Sequence, residues 1–157
     1  MTGNQMIIQK INVFACLTAV VGGLALVACQ APQDGMATAD LGRQDAQTVH
    51  GAQIYAQYCV TCHGSSATGD GPIASQLPTP PADLTRLAAA NAGQFPMEQV
   101  MAKIHGYPDH FHAEVMPQFG TLLDGPVTDY VDASGASVKT PLALLELARY
   151  LESLQQG

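Results

Sequence analysis

The sequence predicts one all-α domain with long loops, in which residues 126–139 form either a small hairpin or an ordered loop. Three segments, at about residues 48–60, 96–105 and 141–154, repeat apolar residues at helical spacing. The chain between them is rich in Gly and Pro, which favour turns and interrupt helices. A length of 157 residues supports one such domain, preceded by a shorter N-terminal region.

The first 28 residues have the proportions of a signal peptide. A mostly apolar stretch, 11–27, follows Lys10 and is shorter than the roughly 20 residues that a membrane span needs. The four residues that end in Cys29, Leu-Val-Ala-Cys, resemble a bacterial lipobox, which implies cleavage before Cys29 and a lipid on its thiol. An uncleaved anchor helix is the alternative. Either arrangement predicts tethering on the periplasmic side of a bacterial membrane, and Gln30 resembles the sorting pattern for the outer membrane.

Residues 29–47 are predicted to be a flexible tether between the lipid and the folded domain, which then occupies residues 48–157. Ala, Gln, Asp, Gly and Pro dominate the segment, and they leave almost no apolar cluster to bury. A tether of this kind would let the domain reorient between partners at the membrane.

The first helix is predicted at about residues 48–60, where Ile54, Tyr55 and Tyr58 fall at helical spacing. Gly51 stands inside this helix. Glycine there costs about 1 kcal/mol relative to alanine, so it is expected where another backbone approaches closely.

Residues 59–63, Cys-Val-Thr-Cys-His, form the most informative motif of the chain. Two thiols at this spacing can each add to a vinyl group of one haem, and the adjacent imidazole then lies under the iron. Half of a zinc site and a thioredoxin-like redox pair are the alternatives. Zinc needs a second ligand pair, and a redox pair begins a helix after a buried strand. Neither context is present, so Cys59, Cys62 and His63 predict attachment of a single haem c.

The cysteine count agrees with these assignments. Cys16 leaves with the signal peptide, Cys29 carries the lipid, and Cys59 and Cys62 carry the haem. No thiol is left over for a structural disulfide, and a stray thiol in an exported protein would need its own explanation.

Loops and two further helices follow the motif. A tight turn is predicted at 69–72, and Pro78, Pro80 and Pro81 favour an extended stretch. The third helix is predicted at about 96–105, and its apolar face consists of Met97, Val100, Met101 and Ile104.

The last helix is predicted at about 141–154. Thr140 is placed to cap it, and Pro141 is acceptable at the first helical position. Leu147 and Tyr150, three residues apart, share one face of this helix, where they are expected to pack in the core.

The net charge of the mature chain restricts the kinds of binding partner that are expected. All 13 acidic residues lie after Cys29, whereas Lys10 leaves with the signal, so the mature chain carries 5 − 13 = −8 charges. An acidic surface disfavours nucleic acid and anionic headgroups, so membrane association should come from the acyl chains. Protein partners are expected to be basic where they dock, although excess Asp and Glu can also serve solubility alone.

With the Cys-Val-Thr-Cys-His motif near its start, the chain resembles the class I cytochrome c family over about residues 48–155. The resemblance implies that Gly51 and Tyr55 on the first helix cross Leu147 and Tyr150 on the last, around one covalently bound haem. It also implies that a prolyl carbonyl orients the proximal imidazole, and Pro72 is the nearest match. The longer 122–139 segment and the acidic surface depart from the family pattern.

The same resemblance implies a methionine as sixth ligand, in a loop before the last helix. Met116, within Val-Met-Pro-Gln-Phe-Gly, matches that ligand, and Pro117 keeps the loop extended. Its competitors are two methionines that are expected in the core of the third helix and three histidines just before the loop: Met97, Met101, His105, His110 and His112.

The residues and the resemblance together predict a membrane-tethered electron carrier that is not an enzyme. Its partners would be redox proteins of a respiratory or periplasmic chain: a dehydrogenase, a terminal oxidase or a reductase. A haem peroxidase or gas-binding sensor is the alternative, with an open sixth position and the histidines as distal acid or base. A haem subunit with a fixed place in a larger complex is a third hypothesis.

Overall fold

Two long helices near the ends of the described chain frame a loop-rich middle. The computed structural model describes residues 34–106 and 115–156, with side chains from residue 43 onward in those ranges, all within one unit at 33–157. The helices in chain order are α1 Asp34–Tyr58, α2 Val60–His63, α3 Met97–His105, α4 Gly120–Leu123 and α5 Leu142–Ser153. Three single 3₁₀ turns, Ala74–Gln76, Leu84–Arg86 and Ala89–Asn91, lie between α2 and α3.

Helix α1 is longer than predicted, because it begins at Asp34 and not at Thr48. The stretch at 34–47, which was expected to be a flexible tether, is therefore helical. The physical reason lies in its composition, because Ala, Leu, Arg and Gln have high intrinsic helix propensity. Low hydrophobicity predicted an absence of packing there, which is a different property from an absence of helix.

Helices α1 and α5 cross at Gly51, as the glycine predicted. A Cβ built on Gly51 would lie 2.1 Å from the Glu146 carbonyl oxygen and 2.8 Å from the Tyr150 Cβ. No side chain larger than hydrogen fits at that distance. The crossing thus depends on direct contact between the α1 backbone and α5.

Both polar and aromatic side chains join the two helices at this crossing. The His50 Nδ1 hydrogen-bonds with Oε2 of Glu146, a residue that is only 7 % exposed. The rings of Tyr55 and Tyr150 pack at a centroid separation of 5.5 Å and an interplanar angle of 52°. A tilted aromatic pair of this geometry adds about 0.5–1.5 kcal/mol to the burial of its surface.

The hydrophobic core forms where α1, α3 and α5 meet. Tyr55, Leu144 and Leu147 are its largest fully buried side chains. Met97, Met101 and Ile104 of α3 are also buried, as their helical spacing predicted. The remaining buried core members are Ile54, Ala67, Leu123, Leu145, Ala148 and Leu151.

The segment before α5 is an antiparallel hairpin of strands β1, Val127–Val131, and β2, Ser137–Pro141. Of the two alternatives predicted for 126–139, a small hairpin or an ordered loop, the structure shows the hairpin, so the fold is not purely α-helical. The Tyr130 hydroxyl donates to Glu98 Oε1 at 2.7 Å, which ties the hairpin to the start of α3.

The predicted cap of the last helix was wrong. Thr140 lies in β2, and its hydroxyl donates to the Val138 carbonyl oxygen at 3.4 Å and not to α5. Pro141 is the N-cap residue, so the cap lies one residue later than expected, and no side chain caps this helix. The strand holds Thr140 in ladder pairing with Thr128, which takes its side chain away from the first turn of α5.

Candidate haem site

The two motif thiols lie on one short turn directly after α1. The Cys59 amide donates to the Tyr55 carbonyl oxygen at 2.9 Å, and the His63 amide donates to the Cys59 carbonyl oxygen at 2.9 Å. Helical geometry therefore continues through the motif and places Cys59, Cys62 and His63 within a single turn. Both thiols are free and partly buried, and Cys59 packs against the hydrophobic core.

The environment of Cys59 is unlike that of a redox-active dithiol. Burial, with a smaller contribution from the neighbouring Cys62 thiol, raises the pKa of Cys59 to about 11. Redox-active cysteines have a lowered pKa, because the thiolate is the reactive form. A zinc site is also disfavoured, since the described residues contain no group of three or more His, Cys, Asp or Glu side chains arranged to hold a metal ion.

The segment that follows the proline-rich stretch orients the imidazole of His63. Its Nδ1 lies 3.0 Å from the Ala82 carbonyl oxygen. A hydrogen bond there makes Nδ1 the protonated nitrogen and leaves the Nε2 lone pair for a metal.

The expected partner of His63, the carbonyl of Pro72, does not make this hydrogen bond in the structure. The extended stretch around Pro81 passes close to the loop after the motif, since a Cβ on Gly69 would lie 2.4 Å from the Pro81 carbonyl oxygen. This close approach brings the next carbonyl, that of Ala82, to the imidazole. The prolines thus contribute by holding the chain extended, and the acceptor is the residue after them.

Tyr55 connects the helix crossing to the motif. Its ring lies 2 % exposed beneath α5, and its hydroxyl donates to the Gly64 carbonyl oxygen at 2.7 Å. Burial is the main cause that raises the pKa of Tyr55, so the phenol stays protonated as a donor. The carbonyl it holds belongs to the residue after His63.

Met116 lies in the chain between α3 and α4, partly buried and packed against the hydrophobic core. Its two competitors among the methionines are occupied by packing, because Met97 and Met101 are 7 % and 6 % exposed within α3. Met116 is therefore the partly buried methionine in the chain after α3 whose thioether is not enclosed by the core.

The candidate histidines do not form a described cluster. His105 ends α3, and its Nε2 lies 3.8 Å from Asp124 Oδ1, which gives it a carboxylate neighbour. His110 and His112 lie outside the described residues, as do Cys29 and the predicted signal peptide.

The donor set of the described residues fits a covalently held haem. Two free thiols lie on one helical turn, an imidazole nitrogen is left open by the hydrogen bond on its other side, and a thioether lies in a separate loop. Thiols serve as attachment points, and imidazole and thioether are common axial ligands of haem iron.

The sequence did not indicate two residues that shape this site. The Ala82 carbonyl carries no side-chain signal, although the prolines just before it mark an extended segment that could present a carbonyl. Buried Glu146 also escaped notice, because a single acidic residue in an amphipathic helix is normally exposed. The structure pairs its carboxylate with the imidazole of His50, and this partner explains why the carboxylate can be buried.

Within the described parts of the chain, no helix is long and apolar enough to cross a membrane. The comparisons with known proteins gave one family. Residues 46–129 match the family model described as cytochrome c oxidase, cbb3-type, subunit III, whereas searches of curated proteins and of solved structures gave no match. The matched residues are more than half of the chain and include the whole attachment motif. The chain therefore belongs to this family of c-type cytochrome domains, which bind haem c covalently and function in electron transfer.

Proposed function

We propose that the protein is a membrane-tethered cytochrome that carries one electron at a time through a single haem c. On this proposal Cys59 and Cys62 form the thioether bonds, the His63 Nε2 is the proximal ligand and the Met116 thioether is the sixth ligand. The haem supplies a one-electron couple, and a site with two protein ligands leaves no open position for a substrate.

The observation that carries the proposal is the orientation of His63. Its ring is attached to the same helical turn as both thiols, and its Nδ1 is held by the Ala82 carbonyl oxygen at 3.0 Å. A ligand fixed at both ends keeps its orientation in both oxidation states, and a small geometric change on transfer favours rapid exchange of the electron.

The choice of Met116 rests on burial. Met97 and Met101 of α3 are buried in the hydrophobic core of the domain. A ligand role would require them to leave their packing partners. A thioether favours the ferrous state and raises the reduction potential relative to a second imidazole.

Substitution of Met116 tests the proposed ligand set against a matched core methionine. Met116→His should keep a six-coordinate iron at a lower reduction potential, and Met116→Ala should open the site to carbon monoxide. Met101→Ala should instead cost about 2–5 kcal/mol of stability and leave the potential nearly unchanged. If Met101→Ala removes the weak far-red band of ferric iron bound to methionine while Met116→Ala preserves it, the assignment of Met116 is wrong.

The electron partners on this proposal are redox proteins at the periplasmic face of a bacterial membrane. The oxidase subunit in the description of the matching family favours a terminal oxidase among the partner classes. The net charge of −8 on the mature chain, which begins at Cys29, favours a basic docking surface on that partner. A lipid on Cys29 would hold the domain near the membrane, and Gln30 favours the outer membrane.

Crosslinking in native membranes, followed by identification of the captured proteins, tests the partner class. A terminal oxidase or a membrane-bound reductase should be recovered, with recovery that falls as the salt concentration rises, because exposed charges are screened. Recovery of soluble proteins only, with no salt dependence, would contradict this assignment of partners.

A further inference from the structure

We propose that Gln155, beyond the end of α5, is a positioning residue that controls the hydrogen bond on His63 and through it the reduction potential. It holds the segment 84–88, which follows the carbonyl of Ala82. The inference rests on the proposed role of His63 as an axial ligand.

The direction of the Ala82 carbonyl depends on the backbone beside it, because Ala82 itself is exposed and has only a methyl side chain. On its C-terminal side, the Asp83 carboxylate accepts from the Thr85 amide at 2.9 Å and from the Thr85 hydroxyl at 2.6 Å. The Leu84 amide donates to the Ala67 carbonyl oxygen at 2.8 Å. The two bonds of Asp83 define a local turn, and the bond to Ala67 joins it to the loop after the attachment motif, but none of them ties the turn to a helix.

The side chain of Gln155 makes that tie with both ends of its amide. Its Nε2 donates to the Leu84 carbonyl oxygen at 2.8 Å, and its Oε1 accepts from the Ala88 amide at 2.8 Å. The same Nε2 donates to the Leu151 carbonyl oxygen at 2.8 Å, in the last turn of α5. One amide thus satisfies a donor and an acceptor of the loop while it remains anchored to the helix.

The neighbouring backbone adds a further bond between the same two segments. The Gln156 amide donates to the Thr85 carbonyl oxygen at 2.9 Å. Its own side chain is exposed, and none of the hydrogen bonds to the segment involves it. Gln156 is therefore a matched control, since a change in its side chain preserves this backbone bond.

The consequence for His63 follows from the chemistry of a ligating imidazole. A hydrogen bond from Nδ1–H to a carbonyl increases the basicity of Nε2, and a more basic ligand favours ferric over ferrous iron. A loop released from α5 would hold the Ala82 carbonyl less firmly against His63. The reduction potential should then rise.

The test compares Gln155→Ala and Gln155→Leu with Gln156→Ala in the haem-loaded protein. Both Gln155 variants should shift the ferric–ferrous equilibrium toward ferrous by about threefold, or about 28 mV at 59 mV per tenfold change for one electron. Solvent exchange of the His63 Nδ1 proton, followed by NMR, should be faster than in wild type. Gln156→Ala should change neither quantity. Potentials of both Gln155 variants within error of wild type would overturn the inference.

A measurement on the wild-type protein covers the case in which the Gln155 variants fail to fold. The Ala88 amide, the Gln156 amide and the His63 Nδ1 proton should exchange through one cooperative opening, with equal free energies. Independent exchange of the His63 proton would refute the coupling.

The two proposals also fail differently. A wild-type NMR spectrum without paramagnetically shifted His63 signals refutes the proposed ligand and the inference that depends on it. Shifted His63 signals together with unchanged Gln155 variants refute the inference alone.

Discussion

The substitution Gly51→Ala tests the crossing of α1 and α5 directly. Intrinsic propensity favours the change, because alanine is about 1 kcal/mol better than glycine inside a helix. The structure opposes it, since the new Cβ would lie 2.1 Å from the Glu146 carbonyl oxygen and 2.8 Å from the Tyr150 Cβ. Neither atom can rotate away, because one belongs to the α5 backbone and the other is the first carbon of its side chain.

The expected change in the free energy of unfolding is the difference between the cost of the clash and the gain in helix propensity. Relief of the clash requires the helices to separate by about 1 Å, which weakens the contacts of the buried residues on both sides. Overpacking of this kind costs about 3 kcal/mol at the upper end of its usual range. After the gain of about 1 kcal/mol in propensity, Gly51→Ala should lower the free energy of unfolding by about 2 kcal/mol.

Urea unfolding of the haem-loaded protein measures this difference, provided that the m-value stays constant. Ala56→Gly is the matched control, because Ala56 lies on the exposed face of the same helix and reports propensity without a clash. The free energy of unfolding of this control variant should fall by about 1 kcal/mol. A Gly51→Ala variant as stable as wild type, or more stable, would refute the close crossing, since propensity alone would then account for the result.

The remaining predictions concern attachment, membrane association and acid stability. Cys59→Ala should leave at most one thioether bond, and Cys62→Ala should also disturb the adjacent His63, so both variants should hold less covalent haem on a denaturing gel stained for haem; full staining of either variant would contradict the attachment assignment. Cys29→Ser should release soluble protein or block maturation; unchanged membrane retention together with an N-terminal peptide that lacks acyl mass would exclude lipidation. The hydrogen bond from Tyr130 is the largest cause that holds the pKa of Glu98 below 4.5, so its stabilisation is present above that pH and is lost as the pH falls. Tyr130→Phe should therefore be less stable by less than about 1 kcal/mol at neutral pH, with a difference that narrows below pH 4.5, and a constant difference would contradict this cause.

Much of the fold could be predicted from local pattern, and the two failures have different origins. The spacing of Met97, Met101 and Ile104 predicted α3 to within a residue of its bounds, because burial of one helical face imposes the 3.6-residue period. The start of α1 was missed, since the residues before Thr48 show no apolar periodicity in the sequence, although several of them have high helix propensity. Thr140 was misjudged as a cap because pairing with Thr128 in the other strand of the hairpin, twelve residues earlier, determined its direction.

The sequence by itself determined the chemistry: two thiols and an imidazole at covalent spacing lie on one turn of any helix, so their arrangement needs only local geometry. Gly51 likewise predicted a close contact. Glycine inside a helix costs about 1 kcal/mol relative to alanine, so it is expected where another backbone approaches. Only the tertiary structure decided which backbone meets Gly51 and which carbonyl meets His63. The Ala82 carbonyl and the amide of Gln155 are positioned by packing between segments distant in sequence, and a backbone carbonyl is the same group in every residue.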